Sequence, residues 1–400
     1  MGSSVEVAIP FPTIDVENRQ PPEREEVELT VRGIATAVAP TGTPDGLTPV
    51  QRAVMNALAD SMTGVVVDAA AGEPMRPDEF AEVLRFRSAE FRIRMVQMML
   101  LAELLLVPLP VDVTERVEAY ARRLGVCDHL MRVARRVAHG SLGLALIDFQ
   151  RSGYFQKLRE QPPEHLHTTT ALEDAWQFVC DDPALHDRWV ALEHCPEGSL
   201  GRGVWRFYKA RGFTFPGRPQ SAPPTLAQHD WVHVLADYGS TVECEIEVFG
   251  LISRCNDDPE AFSLLAMVLG LFETGYFFDA ATGFFEYDRG HISRDPERMA
   301  TRLADAMYRG AKLAWHLDDN GRSDETDLLA TDWFAYAEWP VEAVRDHLGL
   351  LPKSLRAIDA GSVSPWEPGG ISPFQFAHGP ELAAAEHRLY NPYGARPLEV

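Results

Sequence analysis

The sequence punctuates itself as helix over most of its length, and strand signals are sparse. Asp295-Pro296 opens a run in which Met299, Leu303, Met307 and Leu313 recur with helical spacing towards Gly321. Thr48-Pro49 offers an N-cap followed by proline at the first helical position, and Val50 to Met62 follow with apolar residues on one helical face. Asp112 with Glu115 resembles a capping box, and Gly125 can end the helix it starts. The best strand signal is Tyr276 to Tyr287, where Phe277-Phe278 and Phe284-Phe285 flank Asp279 to Gly283 and read as one short β-hairpin. This pattern predicts an all-α helical bundle carrying at most that hairpin.

A chain of 400 residues, 46% of them hydrophobic, can bury a sizeable core and suggests two domains. Residues 1–46, rich in Pro and Glu, read as a solvated acidic tail; they match neither a signal peptide nor a transit peptide. A helical domain is expected over 47–140 and a larger one over 141–352. Residues 353–400 read as a Pro/Gly-rich arm with one short helix near Glu381 to Arg388. The most apolar run, Met95 to Leu109, is broken by Gln97, Glu103 and Pro108. It falls short of the roughly 20 apolar residues of a spanning helix and reads as a buried core helix.

Charge and cysteine content narrow the function. With 37 basic against 59 acidic residues the net charge is −22, which repels phosphate backbones and excludes nucleic acid as a natural partner. It also disfavours broad attraction to anionic lipid, so any peripheral membrane contact is expected to be apolar and local. The five cysteines, Cys127, Cys180, Cys195, Cys244 and Cys255, include no C-x-x-C pair, which fits a reducing cytoplasm.

One segment stands out chemically: His229-Asp230-Trp231-Val232-His233, with Glu245 after eleven intervening residues. On a helix His229 and His233 share a face, and Asp230 borders it. Gly239 is a natural end for that helix, and Ser240 with Glu243 reads as a capping box for the next. His233 lies six residues before Gly239 and Glu245 six after it, so each stands about 9 Å from the turn. In an antiparallel pair they would face each other at one height, with His229 or Asp230 about a turn further along. Two imidazoles and carboxylates so placed suit one divalent metal ion, zinc or iron, with manganese a third choice. Asp237, Glu243 and Glu247 are candidates for orienting the imidazole N–H groups. The same spacing also arises by chance on amphipathic helices. His186-Asp187-Arg188-Trp189 begins alike but has Val190 where the second histidine would stand, and is assigned to helix surface.

The motif resembles the signature of the coenzyme Q (ubiquinone) biosynthesis family often called Coq-four. Pro196-Glu197-Gly198-Ser199-Leu200-Gly201-Arg202, followed by Trp205-Arg206-Phe207-Tyr208, is similar to that family's PEGTLGR stretch. Ala330-Thr331-Asp332-Trp333 and Trp339-Pro340-Val341-Glu342-Ala343-Val344-Arg345 are similar to its C-terminal end, and the order agrees over about residues 165–352. The resemblance implies a nearly all-helical, often dimeric protein with a channel for a prenyl-type lipid beside a metal held by His229, Asp230, His233 and Glu245. It also implies a role in ubiquinone assembly. The implied role is either an organiser of biosynthetic partner proteins or an enzyme replacing the ring carboxyl of a prenylated hydroxybenzoate by hydroxyl. Cys244 departs from the glycine usual before the glutamate, Tyr276 to Tyr287 looks inserted, and residues 47–140 are additional. The helices of that addition faintly resemble tellurite-resistance TerB-like domains. These departures leave room for a specialised relative acting on another lipid or aromatic acid.

Two function classes follow. An enzyme would use His229, His233 and Glu245 as direct ligands and Asp230 as a catalytic base, and oxidative chemistry would need iron or manganese because zinc has no redox chemistry. A lipid-binding scaffold would instead carry a closed zinc site clamping the helix pair.

Overall fold

A computed structural model of the chain describes residues 22–151, 153–169, 181–219, 221–277, 289–385, 387 and 389–392. Among them there are 17 α-helices and no strand, as the helical punctuation predicts. All but the first two residues of the Tyr276 to Tyr287 hairpin expectation lie outside the described residues. The chain forms two compact units: residues 1–155, 258–280 and 288–300 make one, and residues 156–257, 281–287 and 301–400 the other. The expected boundary at 140 therefore moves to 155, and the first unit takes back a later stretch of chain.

In the first unit the expected tail needs correction. Arg24–Val38 is a helix whose Val27, Val31, Ile34, Ala35 and Val38 are buried. Glu25 and Glu26 in its first turn suit the positive end of the helix dipole, and Arg116 donates to the carbonyls of Ala37 and Ala39 at its other end. It packs against Pro77–Val83, Ala89–Glu103 and Val111–Arg123. Gly33 makes room there for the ring of Phe80, which a Cβ would strike at 2.1 Å.

Pro49–Thr63 starts as predicted, with Thr48 and Gln51 closing a full capping box and Gly64 ending it at φ 69°. Val111–Arg123, by contrast, has Pro110 rather than Asp112 at its N-cap. The apolar run is a core helix, Ala89–Glu103, buried from Met95 onward. Its polar interruptions are accommodated unequally. Gln97 donates to Asp128 at 2.6 Å, whereas a buried Glu103 oxygen has no hydrogen-bond partner, and burial pushes that carboxyl well above the usual range.

The second unit contains the residues of the motif. The arm is also corrected, since Leu355–Asp359 and Pro373–Ala385 are helices, the second beginning eight residues before the short helix expected at Glu381. Pro373 takes the first helical position, where its missing N–H costs nothing. Pro296–Asp319 is the single long helix predicted from Asp295-Pro296, and Asp295 accepts from the Arg298 N–H at 3.2 Å. Its first five residues belong to the first unit and the rest to the second. No helix among the described residues is long and apolar enough to cross a membrane, and four of the five cysteines are free thiols.

Candidate metal centre

Three helices of the second unit build the site: Leu200–Arg211, the histidine helix Pro224–Ala236, and the glutamate helix Val242–Cys255. The histidine helix starts with proline at its first position and stops three residues before Gly239, because Asp237 turns left-handed at φ 64°. The glutamate helix is capped by Thr241, which accepts from the Cys244 N–H at 3.4 Å, not by the expected Ser240. The carbonyls at the end of the histidine helix are taken by guanidinium groups. Arg345 donates to Leu235 at 2.7 Å and Arg309 to Ala236 at 2.9 Å.

Antiparallel return brings the predicted residues together. His233 Nε2 lies 3.2 Å from Glu245 Oε1, and His229 Nε2 lies 3.4 Å from Glu245 Oε2. The donor atoms of all three lie within 4.8 Å of one another. Bonds of about 2.0–2.2 Å to one metal ion require neighbouring donors about 3–3.5 Å apart in tetrahedral or octahedral geometry, which the two imidazole–carboxylate separations match. Asp230 is not part of this trio. Its Oδ1 stands 3.5 Å from His229 Nε2, while its Oδ2 accepts a 2.5 Å hydrogen bond from the Tyr208 hydroxyl.

The imidazoles are oriented by main chain rather than by Asp237, Glu243 or Glu247. His229 Nδ1 faces the carbonyl of Leu226 one turn back, and His233 Nδ1 faces that of Gly239 at 2.7 Å. A carbonyl only accepts, so each Nδ1 carries hydrogen and, in the neutral ring, each Nε2 offers its lone pair to the site. Asp237 instead pairs with Lys353 at 3.4 Å, and Glu247 with the buried Arg302 at 2.6 Å. Glu243, in the first turn of the glutamate helix, contributes charge towards Arg302.

Cys244 also faces away from the trio, with Arg302 3.5 Å from its sulfur, and burial pushes its thiol up to about 11. Phe207 stacks with His233 at 5.3 Å and Phe249 packs on His229 at 5.2 Å, giving the donors apolar walls.

Burial and charge are strongly opposed here. His233 is fully buried, and the side chains of His229 and Glu245 are each 11% exposed. Burial pulls the His229 imidazolium down, but Asp230 and Glu245 override it and push its pKa up to about 9. Burial raises Glu245, yet His233 and His229 hold its carboxyl far below the usual range. Burial raises Asp230, and the histidines and Tyr208 only partly offset it. The metal-free site is thus an ion pair of imidazolium and carboxylate. Within it His233 Nε2 is buried with Glu245 Oε1 3.2 Å away but no well-aligned hydrogen bond, an atom that a metal ion would satisfy.

The other motif segments gather around this helix pair. Leu200 N–H donates to Trp339 at 2.9 Å, Gly201 N–H to Ala337 at 2.8 Å and Val341 N–H to Gly198 at 3.1 Å. Gly203 lets Val234 of the histidine helix approach, since a Cβ there would meet it at 2.8 Å. His186 is half-buried against the Phe215 carbonyl at 3.4 Å, far from being a ligand, as expected of the truncated motif. Spacing alone did not reveal Tyr208, Phe207, Phe249, Arg309, Arg345 or the Gly239 carbonyl. Tyr208 and Phe207 stand in the Trp205 to Tyr208 run and Arg345 ends the Trp339 to Arg345 segment, and those segments are the signal the sequence carries for them.

Compared with protein families, curated proteins and solved structures, the chain matches none. The donor set and its geometry therefore carry the case for its chemistry.

Proposed function

We propose that the chain is a metal-dependent enzyme in which His229, His233 and Glu245 hold one divalent ion and Asp230 serves as a base beside it. The observation that carries this is the convergence of two buried imidazole Nε2 atoms and one carboxylate on a common point. Three protein donors leave coordination positions open for substrate, the arrangement of two histidines and a carboxylate used by non-haem iron. When bound, iron or manganese would supply a redox centre and a Lewis acid at that point. The chain's own residues hold the donors, exclude water with Phe207 and Phe249, and keep a raised-pKa carboxyl, Asp230, next to the reacting region.

For substrate we infer a lipophilic aromatic acid, carrying a prenyl-type tail, on the resemblance of residues 165–352 to the ubiquinone-biosynthesis family. The implied reaction replaces the ring carboxyl by hydroxyl. The aryl–carboxyl bond breaks and carbon dioxide leaves, water supplies the oxygen of the new aryl–oxygen bond, and an oxidant such as dioxygen takes up the two electrons and two protons released. A second reading is a lipid-binding scaffold with structural zinc, favoured by Asp230 Oδ1 standing 3.5 Å from His229 Nε2, where it can supply a fourth donor and close the site.

Metal content by mass spectrometry, for wild type and His229→Ala/His233→Ala, tests both. Near-stoichiometric iron or manganese lost in the variant, with turnover of a prenylated hydroxybenzoate, supports the enzyme. Tightly held zinc without turnover supports the scaffold, and no metal after reconstitution refutes both.

A further inference from the structure

Beyond the motif region, residues 361–375 form a strap that reaches the second imidazole through main chain. Gly239 N–H donates to Val363 at 2.9 Å and Ser240 N–H to Gly370 at 2.8 Å. The two backbones are so close that a Cβ on Gly239 would stand 2.6 Å from the Gly370 oxygen. Gly239 is also the residue whose carbonyl holds His233 Nδ1. The strap therefore grips the N–H side of the same residue whose carbonyl sets the ligand's tautomer.

Arg211 ties the assembly from the other side. It is 1% exposed, and its guanidinium donates to Ser240 Oγ at 2.6 Å, to Pro365 at 3.2 Å and to Gly370 at 3.1 Å. Its carbon lies 3.7 Å from the centre of the Phe207 ring, the ring that stacks with His233. Ser240 Oγ passes the connection on by donating to Gln375 Oε1 at 2.5 Å. Gln375 and Ser372 in turn cap the helix Pro373–Ala385, with the Gln375 N–H on Ser372 Oγ at 3.2 Å. The hydrogen bonds donated by Arg211, Ser240 and Gly239 all end on the strap, on the turn at 238–240, or on the helix carrying Phe207.

We propose that this strap is the outer brace of the metal centre, and that Arg211, Ser240 and Gly239 are positioning residues for His233. The proposal rests on reading His229, His233 and Glu245 as metal ligands. His229 supplies an internal control, because its Nδ1 partner, Leu226, lies in its own helix and owes nothing to the strap. Loosening the strap disorders one imidazole and spares the other.

The test uses the full chain as wild type, Gly239→Ala, Ser240→Ala and Arg211→Met, each checked for helical content. Zinc affinity is read by competition with a chromophoric chelator, and imidazole nitrogen NMR reads the tautomer of each histidine in the metal-free, alkaline protein. The expected result is about 10–100-fold weaker zinc binding. His233 loses its pure Nδ1–H form while His229 keeps its own. Ser240→Ala is the mild variant, removing a hydroxyl without adding bulk or burying charge. Folded variants that keep wild-type zinc affinity and an unchanged His233 tautomer overturn the brace. If wild type itself takes up no zinc, the reading of the centre falls, and the His233 tautomer in the variants still decides the brace alone.

Discussion

Replacing His229 by glutamine removes the charge that the metal-free site uses to hold itself together, and the loss has a defined pH window. The imidazole titrates near 6.5 in the unfolded chain and is pushed up to about 9 in the folded one. A folded pKa raised above the unfolded value contributes stability in full below 6.5, and that contribution disappears as pH rises through 9. At about 1.4 kcal/mol per pH unit, the interval corresponds to about 3 kcal/mol. Glu245 is the other half of the same ion pair, so this energy is counted once. With its folded pKa depressed, Glu245 contributes above 4.5 and loses its contribution as pH falls.

Urea denaturation in chelator at pH 6, 7.5 and 9.5 measures the effect. Wild type should lose about 3 kcal/mol relative to His229→Gln on passing from the lowest to the highest pH. Metal reverses the dependence. An ion taking Nε2 must displace its proton, so apparent affinity should rise about tenfold per pH unit between 7 and 9, with proton release seen by calorimetry. Parallel pH profiles for wild type and variant would refute the imidazolium–carboxylate account.

Other perturbations separate the site from its supports. Glu247→Ala strands the buried Arg302 guanidinium and should cost about 3–5 kcal/mol in denaturant. Zinc affinity should be little changed, because the pair lies on a different face of the glutamate helix from Glu245. Tyr208→Phe removes the hydrogen bond to Asp230 and should cost about 1.5–3 kcal/mol. Zinc stoichiometry should stay at wild type, and loss of metal would make Asp230 an obligatory ligand. Glu103→Met replaces a carboxyl whose pKa burial raises and whose oxygen lacks a partner. It should stabilise the protein by about 1–3 kcal/mol at pH 7. The advantage should grow as pH climbs above 4.5, where ionisation in the unfolded chain begins to weaken wild type.

The trio was legible because two regular rules located it. Helical periodicity put His229 and His233 on one face, and equal distances from Gly239 put Glu245 opposite. That the turn lies at Asp237 to Thr241, not at Gly239 alone, changed the capping residues but left the register intact. What periodicity cannot show is long-range contact, hence the reading of the sequence contains neither Arg309 nor the 361–375 strap, and has Arg345 only as part of the Trp339 to Arg345 segment, without its contact to Leu235. Composition misled at both ends. The Pro/Glu run before Arg24 lent its character to a helix with a clean apolar face, and Pro373, which counted towards a Pro/Gly-rich arm, is a helix initiator. The carboxylates near the motif suggested themselves as imidazole partners by proximity in sequence, but Glu247 answers a buried arginine instead. The second unit's boundary was illegible for a simpler reason: nothing local marks a stretch that belongs with residues far behind it.

The interleaving of the two units also sets an order of events during synthesis. All three proposed metal donors have been made by residue 245, yet the first unit still waits for residues 258–280 and 288–300. Arg309 and Arg345, which close the end of the histidine helix, come later, and Gly370 comes last. Domains tend to fold as their chain emerges, N-terminal parts first. Here the proposed donors leave the ribosome with the carbonyls of Leu226 and Gly239 but ahead of the arginines and the strap that brace them. If the trio holds an ion as proposed, its discrimination among ions belongs to the finished chain, once the final quarter has been laid over the turn.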